Sequence, residues 1–214
     1  AAVLVMRRMA DPSVERLLFD SDPRIRTEAA RVVHDLPITE SMPALASIAD
    51  EYLEADDVQD ENAGGDPARG LELHPTETPL LRRVVDANLR GGTSADLDRL
   101  AGMAMNAALP PVIRDEAMKA IATFDDPGPR DRVLGWWRPV EDGPRDIEDL
   151  RGVMTRILPP LSNDPTPSVR ALARVTADRL DVALDPRQVR EMFMDEQASA
   201  DDRIACFRQL LRID

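Results

Sequence analysis

The stretch Asp22-Pro23-Arg24-Ile25-Arg26-Thr27-Glu28-Ala29-Ala30-Arg31-Val32-Val33-His34-Asp35-Leu36 decides how the rest of the chain is read. Asp-Pro at its head supplies a side-chain cap and a pre-set φ for the first helical turn. Ile25, Ala29, Val33 and Leu36 then fall on one stripe of a 3.6-residue helix, with Arg26 beside it. Aligning on that arginine finds the stripe again at Leu81, Val85 and Leu89, at Ile113, Ala117, Ile121 and Phe124, at Val169, Ala173, Ala177 and Leu180, and at Cys206, Leu210 and Ile213. Gly92 occupies the last position of the second unit, where its helix should stop. Asp202 opens the fifth unit in place of an apolar residue.

The arginines, Arg26, Arg82, Arg114, Arg170 and Arg203, stand 56, 32, 56 and 33 residues apart. The short spacings fit a repeat of two helices, and the long ones fit the same repeat carrying an insertion. The insertions are expected near residues 55–78, acidic and Gly/Pro-bearing, and near residues 125–145, which contain Trp136-Trp137. First helices of each pair are expected at residues 13–19, 42–53, 95–106, 147–158 and 186–195. Asp11-Pro12 and Asp185-Pro186 start two of them, Ser94 precedes another, and Gly91-Gly92 ends a second helix. A single pair would leave apolar surface on both flanks, so the pairs must stack. The expected fold is therefore all-α: an α-α superhelix of about five helix pairs forming a single domain over residues 1–214.

Composition agrees. Apolar residues make up 43% of the chain and aromatics 3%, a mixture that suits helix-on-helix packing better than a sheet. The formal net charge is −13, which repels phosphate backbones and anionic lipid, so nucleic acid is not an expected partner. No stretch approaches the roughly 18 uninterrupted apolar residues of a membrane span, so no membrane insertion is expected. All basic residues except Lys119 are arginine. The lone Cys206 excludes an internal disulfide framework, a CxxC zinc site and a CxxCH haem attachment within this segment. Ala1 to Met6 read as a helical run without a preceding cap, so the chain is expected to be a piece of a larger protein.

Residues 22–31 and 164–173 resemble the HEAT-repeat signature, in which an Asp-Pro turn leads to an arginine on the second helix. A closer resemblance is to the HEAT-repeat region of planctomycete-type membrane-bound dehydrogenase-like, c-type haem-binding multidomain proteins. It is carried by Glu28-Ala29-Ala30-Arg31-Val32-Val33-His34-Asp35-Leu36-Pro37-Ile38, by Leu81 through Arg90, and by Pro129-Arg130-Asp131-Arg132-Val133-Leu134-Gly135-Trp136-Trp137-Arg138-Pro139. In that family the helical region accompanies a β-propeller resembling sugar dehydrogenases and a c-type cytochrome module. The resemblance implies an extracytoplasmic parent protein with redox modules, for which this segment is a helical spacer or docking surface without a cofactor of its own.

Candidate sites are few. The aligned arginines either line a ligand-binding face or bond carboxylates and carbonyls of adjacent units, and the second reading is favoured because bidentate pairs fix register. The acidic run from Asp50 to Asp66 has enough oxygen for calcium, but counting from Asp60 places Leu71 where the bidentate glutamate belongs, so a solvated acidic insertion is expected. Trp136 and Trp137, followed by Arg138, are read mainly as core or inter-repeat packing with at most one ring fully buried, and remain the first choice for a partner-binding site. His34 and His74 are too far apart in sequence for a metal pair. His34 near a helix C-terminus reads as a cap, and Cys206 as a small core residue.

These readings lead to a non-catalytic scaffold or protein-interaction module within a larger redox protein, whose partners are neighbouring domains or another protein. The rivals are a HEAT-like DNA glycosylase, which needs a cationic groove, and a purely structural spacer.

Overall fold

The structure, a computed structural model, describes residues 11–59, 77–140, 145–183, 186–195 and 200–213. Its helices are α1 (Pro12–Phe19, wound as a 3₁₀ helix), α2 (Pro23–Asp35), α3 (Met42–Gln59), α4 (Glu77–Gly91), α5 (Ser94–Met105), α6 (Pro111–Ala122), α7 (Ile147–Ser162), α8 (Pro167–Arg179), α9 (Pro186–Met194) and α10 (Ala200–Ile213). The fold is all-α, and among the described residues the only β-type pairing is a single bridge from Arg130 to Trp137. No helix among them is long and apolar enough to cross a membrane.

Consecutive helices pack as pairs, α1 with α2 through α9 with α10. The second helices α2, α4, α6 and α8 contact one another in that order, and so do the first helices α1, α3, α5 and α7. The recurring stripe is what they bury: Ala29, Val33, Leu81, Val85, Leu89, Ile113, Ala117, Ile121, Phe124, Val169, Ala173, Ala177, Leu180 and Cys206 are all closed to solvent. Ala29, Ala117 and Ala173 at the second position of the stripe let neighbouring helices approach closely, and dispersion over the shared core adds to the cohesion.

The helix starts follow their side-chain chemistry. Asp11, Asp22 and Asp146 each accept a hydrogen bond from the backbone N–H two residues on. At α5 the start lies one residue earlier than expected. Thr93, not Ser94, is the cap, because Asp96 returns a bond to the Thr93 N–H and completes a reciprocal capping box. α7 runs through Pro159-Pro160 to Ser162 rather than ending at Leu158. The carbonyls that the two prolines cannot satisfy belong to Thr155 and Arg156, both exposed, so water can serve them. α3 likewise extends to Gln59, six residues past its expected end. The stretch weighed and rejected as a calcium loop, His74 and most of the acidic insertion lie outside the described residues, as does the N-terminal run.

The favoured reading, bonds to adjacent units, holds for the carboxylates that Arg26, Arg82 and Arg114 reach in the next pair, but the carbonyls that the aligned arginines cap belong to their own pair. Arg26, Arg114 and Arg203 each donate from Nε to the penultimate carbonyl of the preceding first helix: Leu18 at 3.1 Å, Ala104 at 3.0 Å and Phe193 at 3.2 Å. A cation at that place satisfies an orphan carbonyl and opposes the negative end of the helix dipole. In the fourth unit the task passes to Arg174, which donates to Ser162 O at 3.0 Å, while Arg170 takes the Asp164 carbonyl. Successive pairs are also bridged by arginine–carboxylate contacts: Arg83 to Asp35, Arg99 to Asp50, Arg114 to Asp164 and Arg156 to Asp98.

Candidate functional site

Residues 123–140, between α6 and α7, form a folded strap. Pro129 and Arg138 pair across a short hairpin, with Arg138 N–H donating to Pro129 O at 2.7 Å and Asp131 N–H to Trp136 O at 3.0 Å. Asp131 makes the turn, its Oδ1 accepting from the Val133 and Leu134 N–H groups at 2.9 and 2.6 Å. Gly135 closes it with a φ of 71°, a conformation open to glycine at little cost.

Three arginines fix this strap to the stack, each at the C-terminal turn of a different second helix. Arg132 donates to Lys119 O of α6 at 3.2 Å. Arg138 donates to the His34 and Asp35 carbonyls that end α2, the first at 2.8 Å. Arg145 reaches the Leu89 and Arg90 carbonyls at the end of α4 and the Phe124 carbonyl after α6. In return Arg90 donates to Arg138 O at 3.1 Å. Three negative helix ends that converge on one side of the stack thus receive three guanidinium groups, each contact contributing about 0.3–2 kcal/mol. Arg145 lies against Gly92, whose φ is 69° and whose Cα has no room for a side chain beside the Arg145 guanidinium. Gly92→Ala is expected to lower stability by about 1–3 kcal/mol through the positive φ and the displaced cap. A thermal melt within about 1 °C of wild type would show that Arg145 does not hold the strap in this way.

Under the hairpin is a buried ionic cluster that joins α2, α4 and the strap. The ring of His34, wholly buried, places Nδ1 3.0 Å from Asp35 Oδ1 and Nε2 2.8 Å from Asp86 Oδ2. Arg83 grips Asp35 through two parallel bonds of 3.0 Å. Arg90 holds Asp86 at 2.7 Å, and the backbone N–H of Arg132 donates to the other Asp86 oxygen. Asp131 Oδ2 faces Arg138 at 3.3 Å, a charge contact whose alignment falls short of a hydrogen bond. Burial opposes protonation of His34, but its hydrogen bonds to Asp35 and Asp86 and the charges of Asp86 and Asp131 outweigh that, and its pKa stands above the ordinary histidine value. Burial likewise pushes the Asp35 and Asp86 carboxyls up, and their contacts with His34 and arginine bring both below the ordinary carboxylate value.

The expected capping role of His34 is corrected by this geometry. Its ring turns toward three carboxylates rather than toward the end of α2, and the capping falls to Arg138. His34, Asp86 and Asp131 do bring ligand-type atoms within 4.8 Å of one another. A metal ion would have to displace the His34 proton and crowd against Arg90 and Arg138, so the electrostatics favour the ion-pair cluster.

The packing role expected of Trp136 and Trp137 is also corrected. They are 57% and 67% exposed, because the residues lie in a hairpin and not on a helix. Each ring sits on a guanidinium, Trp136 on Arg138 at 5.2 Å and Trp137 on Arg130 at 5.9 Å. Arg138, the third residue singled out in the sequence, is mostly enclosed and serves the strap. Beside the strap runs a groove of about 620 Å³ between the ends of α2 and α4, floored by Met42, Pro43, Ala46 and Ala87 and edged by Pro139 and Val140. The sequence reading missed this groove and the ionic cluster, whose members stand 52 residues apart at His34 and Asp86. The pattern Asp131 followed four residues later by Gly135 was the available signal for a hairpin turn. Comparison of the chain with protein-family models, with curated proteins and with solved structures found no match.

Proposed function

We propose that this chain is a non-catalytic HEAT-type helical scaffold whose strap presents Trp136 and Trp137 to a protein partner. The observation that carries the reading is the pair of exposed indoles on a hairpin held by three arginine-capped helix ends. Exposed tryptophans on a rigid support are the residue type that anchors protein interfaces, since they bury much area with little loss of side-chain freedom. The pairing within the His34 cluster supports the non-catalytic reading, because its titratable groups are held in ion pairs rather than left free to exchange a proton with a substrate. The recurring arginine caps support the HEAT-type reading.

A place within a larger redox protein, next to propeller and cytochrome modules, is the context that the resemblance of residues 28–38, 81–90 and 129–139 suggests. Ile204, Phe207 and Leu211 lie exposed along α10, an apolar stripe of the kind that a neighbouring module would cover.

The test is affinity capture from cells that express the parent protein, comparing wild type with W136A/W137A. The double variant is expected to fold within about 1 kcal/mol of wild type, the rings being mostly in solvent, and to lose the partner that wild type retains. Equal capture by both proteins, or release of bases from alkylated duplex DNA by the purified chain, would reject the reading.

A further inference from the structure

Between the strap and the ends of α4 and α6 lies a pocket of about 180 Å³, room for a four-oxygen anion and a few waters at about 30 Å³ each. Its wall includes Asp86, Arg90, Arg130 and Arg132. Asp86 is already engaged: one oxygen accepts from His34 and Arg90, the other from the Arg132 backbone. Arg90 is balanced by that carboxylate. Arg130 and Arg132 are not balanced by any among the described residues. Arg130 donates to the Gly135 carbonyl, and Arg132 to the Lys119 carbonyl and the Thr123 hydroxyl. Arg132 Nε, moreover, is buried and meets no acceptor on the protein.

Both features are costly. A buried N–H without an acceptor loses its hydration and gains nothing in return, and three guanidinium groups around one small pocket repel one another. In a chain of net charge −13 carboxylates are abundant, yet among the described residues none pairs with Arg130 or Arg132. An oxyanion in the pocket relieves the repulsion among the guanidinium groups, whose forks match carboxylate and phosphate oxygens. We propose that Arg90, Arg130 and Arg132 form a binding site for a single compact oxyanion, either free phosphate or the carboxylate of a partner's side chain. Binding of free phosphate does not depend on the scaffold reading, although Trp137 of that reading lies on Arg130. A partner's carboxylate as occupant rests on it, and the anion titration and the partner capture can fail separately.

The chain has two tryptophans, both on the strap, and Trp137 lies on Arg130, so indole fluorescence reports on the pocket directly. The purified protein is titrated with sodium phosphate and, separately, sodium acetate, with sodium chloride holding ionic strength constant. A saturable change with at least one anion is expected, together with a rise in the thermal midpoint. Saturation by phosphate alone identifies a tetrahedral ligand, and saturation by acetate identifies a carboxylate. Arg130→Gln is expected to weaken binding at least about tenfold while leaving the fold intact, because one charge-assisted bond is lost from an exposed residue. Arg132→Met is expected to abolish it. Responses that match chloride for both anions, or an Arg130→Gln titration identical to wild type, would overturn the proposal.

Discussion

Arg114→Met is expected to destabilise the fold by about 3–5 kcal/mol, the cost of leaving a buried carboxylate without its partner. Arg114 is 3% exposed and does two things at once. Its Nε caps the Ala104 carbonyl within its own helix pair, and its two terminal nitrogens hold both oxygens of Asp164 ahead of α8. Asp164 then accepts from Thr166 N–H at 2.8 Å and shapes the turn into α8. Removing the arginine therefore exposes a failure at a junction between pairs, not at a surface. Arg114→Lys should recover little, since an ammonium group cannot reproduce the planar fork. Arg114→Met combined with Asp164→Leu should recover much of the loss, because no buried charge then remains unpaired. Denaturant titration of the four proteins in the cycle measures this. A single-variant loss under about 1 kcal/mol would mean that the junction is held by apolar packing alone.

His34→Leu is expected to cost a similar amount, about 3–5 kcal/mol near pH 6, since it leaves Asp86 and Asp131 with less positive charge beneath the strap. The pH dependence separates this effect from simple loss of packing. The folded-state pKa of His34 is raised, so its contribution is complete below the unfolded value, about 6.5, and is lost as pH rises through the folded value. Asp35 and Asp86 have lowered folded-state values, so their contribution is present above about 3.9 and is lost as pH falls further. Wild-type stability should therefore be greatest between about pH 4 and 6.5 and decline on the alkaline side. In His34→Leu the alkaline decline should be absent. Parallel stability profiles for the two proteins from pH 6 to 9 would show that His34 is not held protonated.

The part of the molecule that is periodic was legible in its residues, and the part that depends on distant contact was not. Asp22-Pro23 and the Ile25, Ala29, Val33 series carry local rules for starting a helix and burying one face, so the helix pairs follow directly from them. The arginines after those starts were legible as capping or pairing groups for the same reason. Pro159-Pro160 misled because a proline removes an N–H wherever it lies, but the penalty depends on whether water reaches the carbonyl left behind. Trp136-Trp137 misled because core or inter-repeat packing was expected of a stretch that Asp131 and Gly135 turn into a hairpin. The His34 cluster could not be read at all. Its members come from α2, α4 and the strap, and nothing in the spacing of His34, Asp86 and Asp131 says that three helix ends will meet there.

Hydrogen–deuterium exchange across residues 129–138 tests most directly whether the strap is a folded platform for the tryptophan pair. The amides of Asp131, Val133, Leu134, Gly135 and Arg138 donate within the hairpin and should exchange far more slowly than a free peptide of the same sequence, with Arg138→Ala abolishing that protection. Exchange at the free-peptide rate in the wild-type protein would contradict the account, because indoles on an unanchored loop would present no fixed surface to a partner.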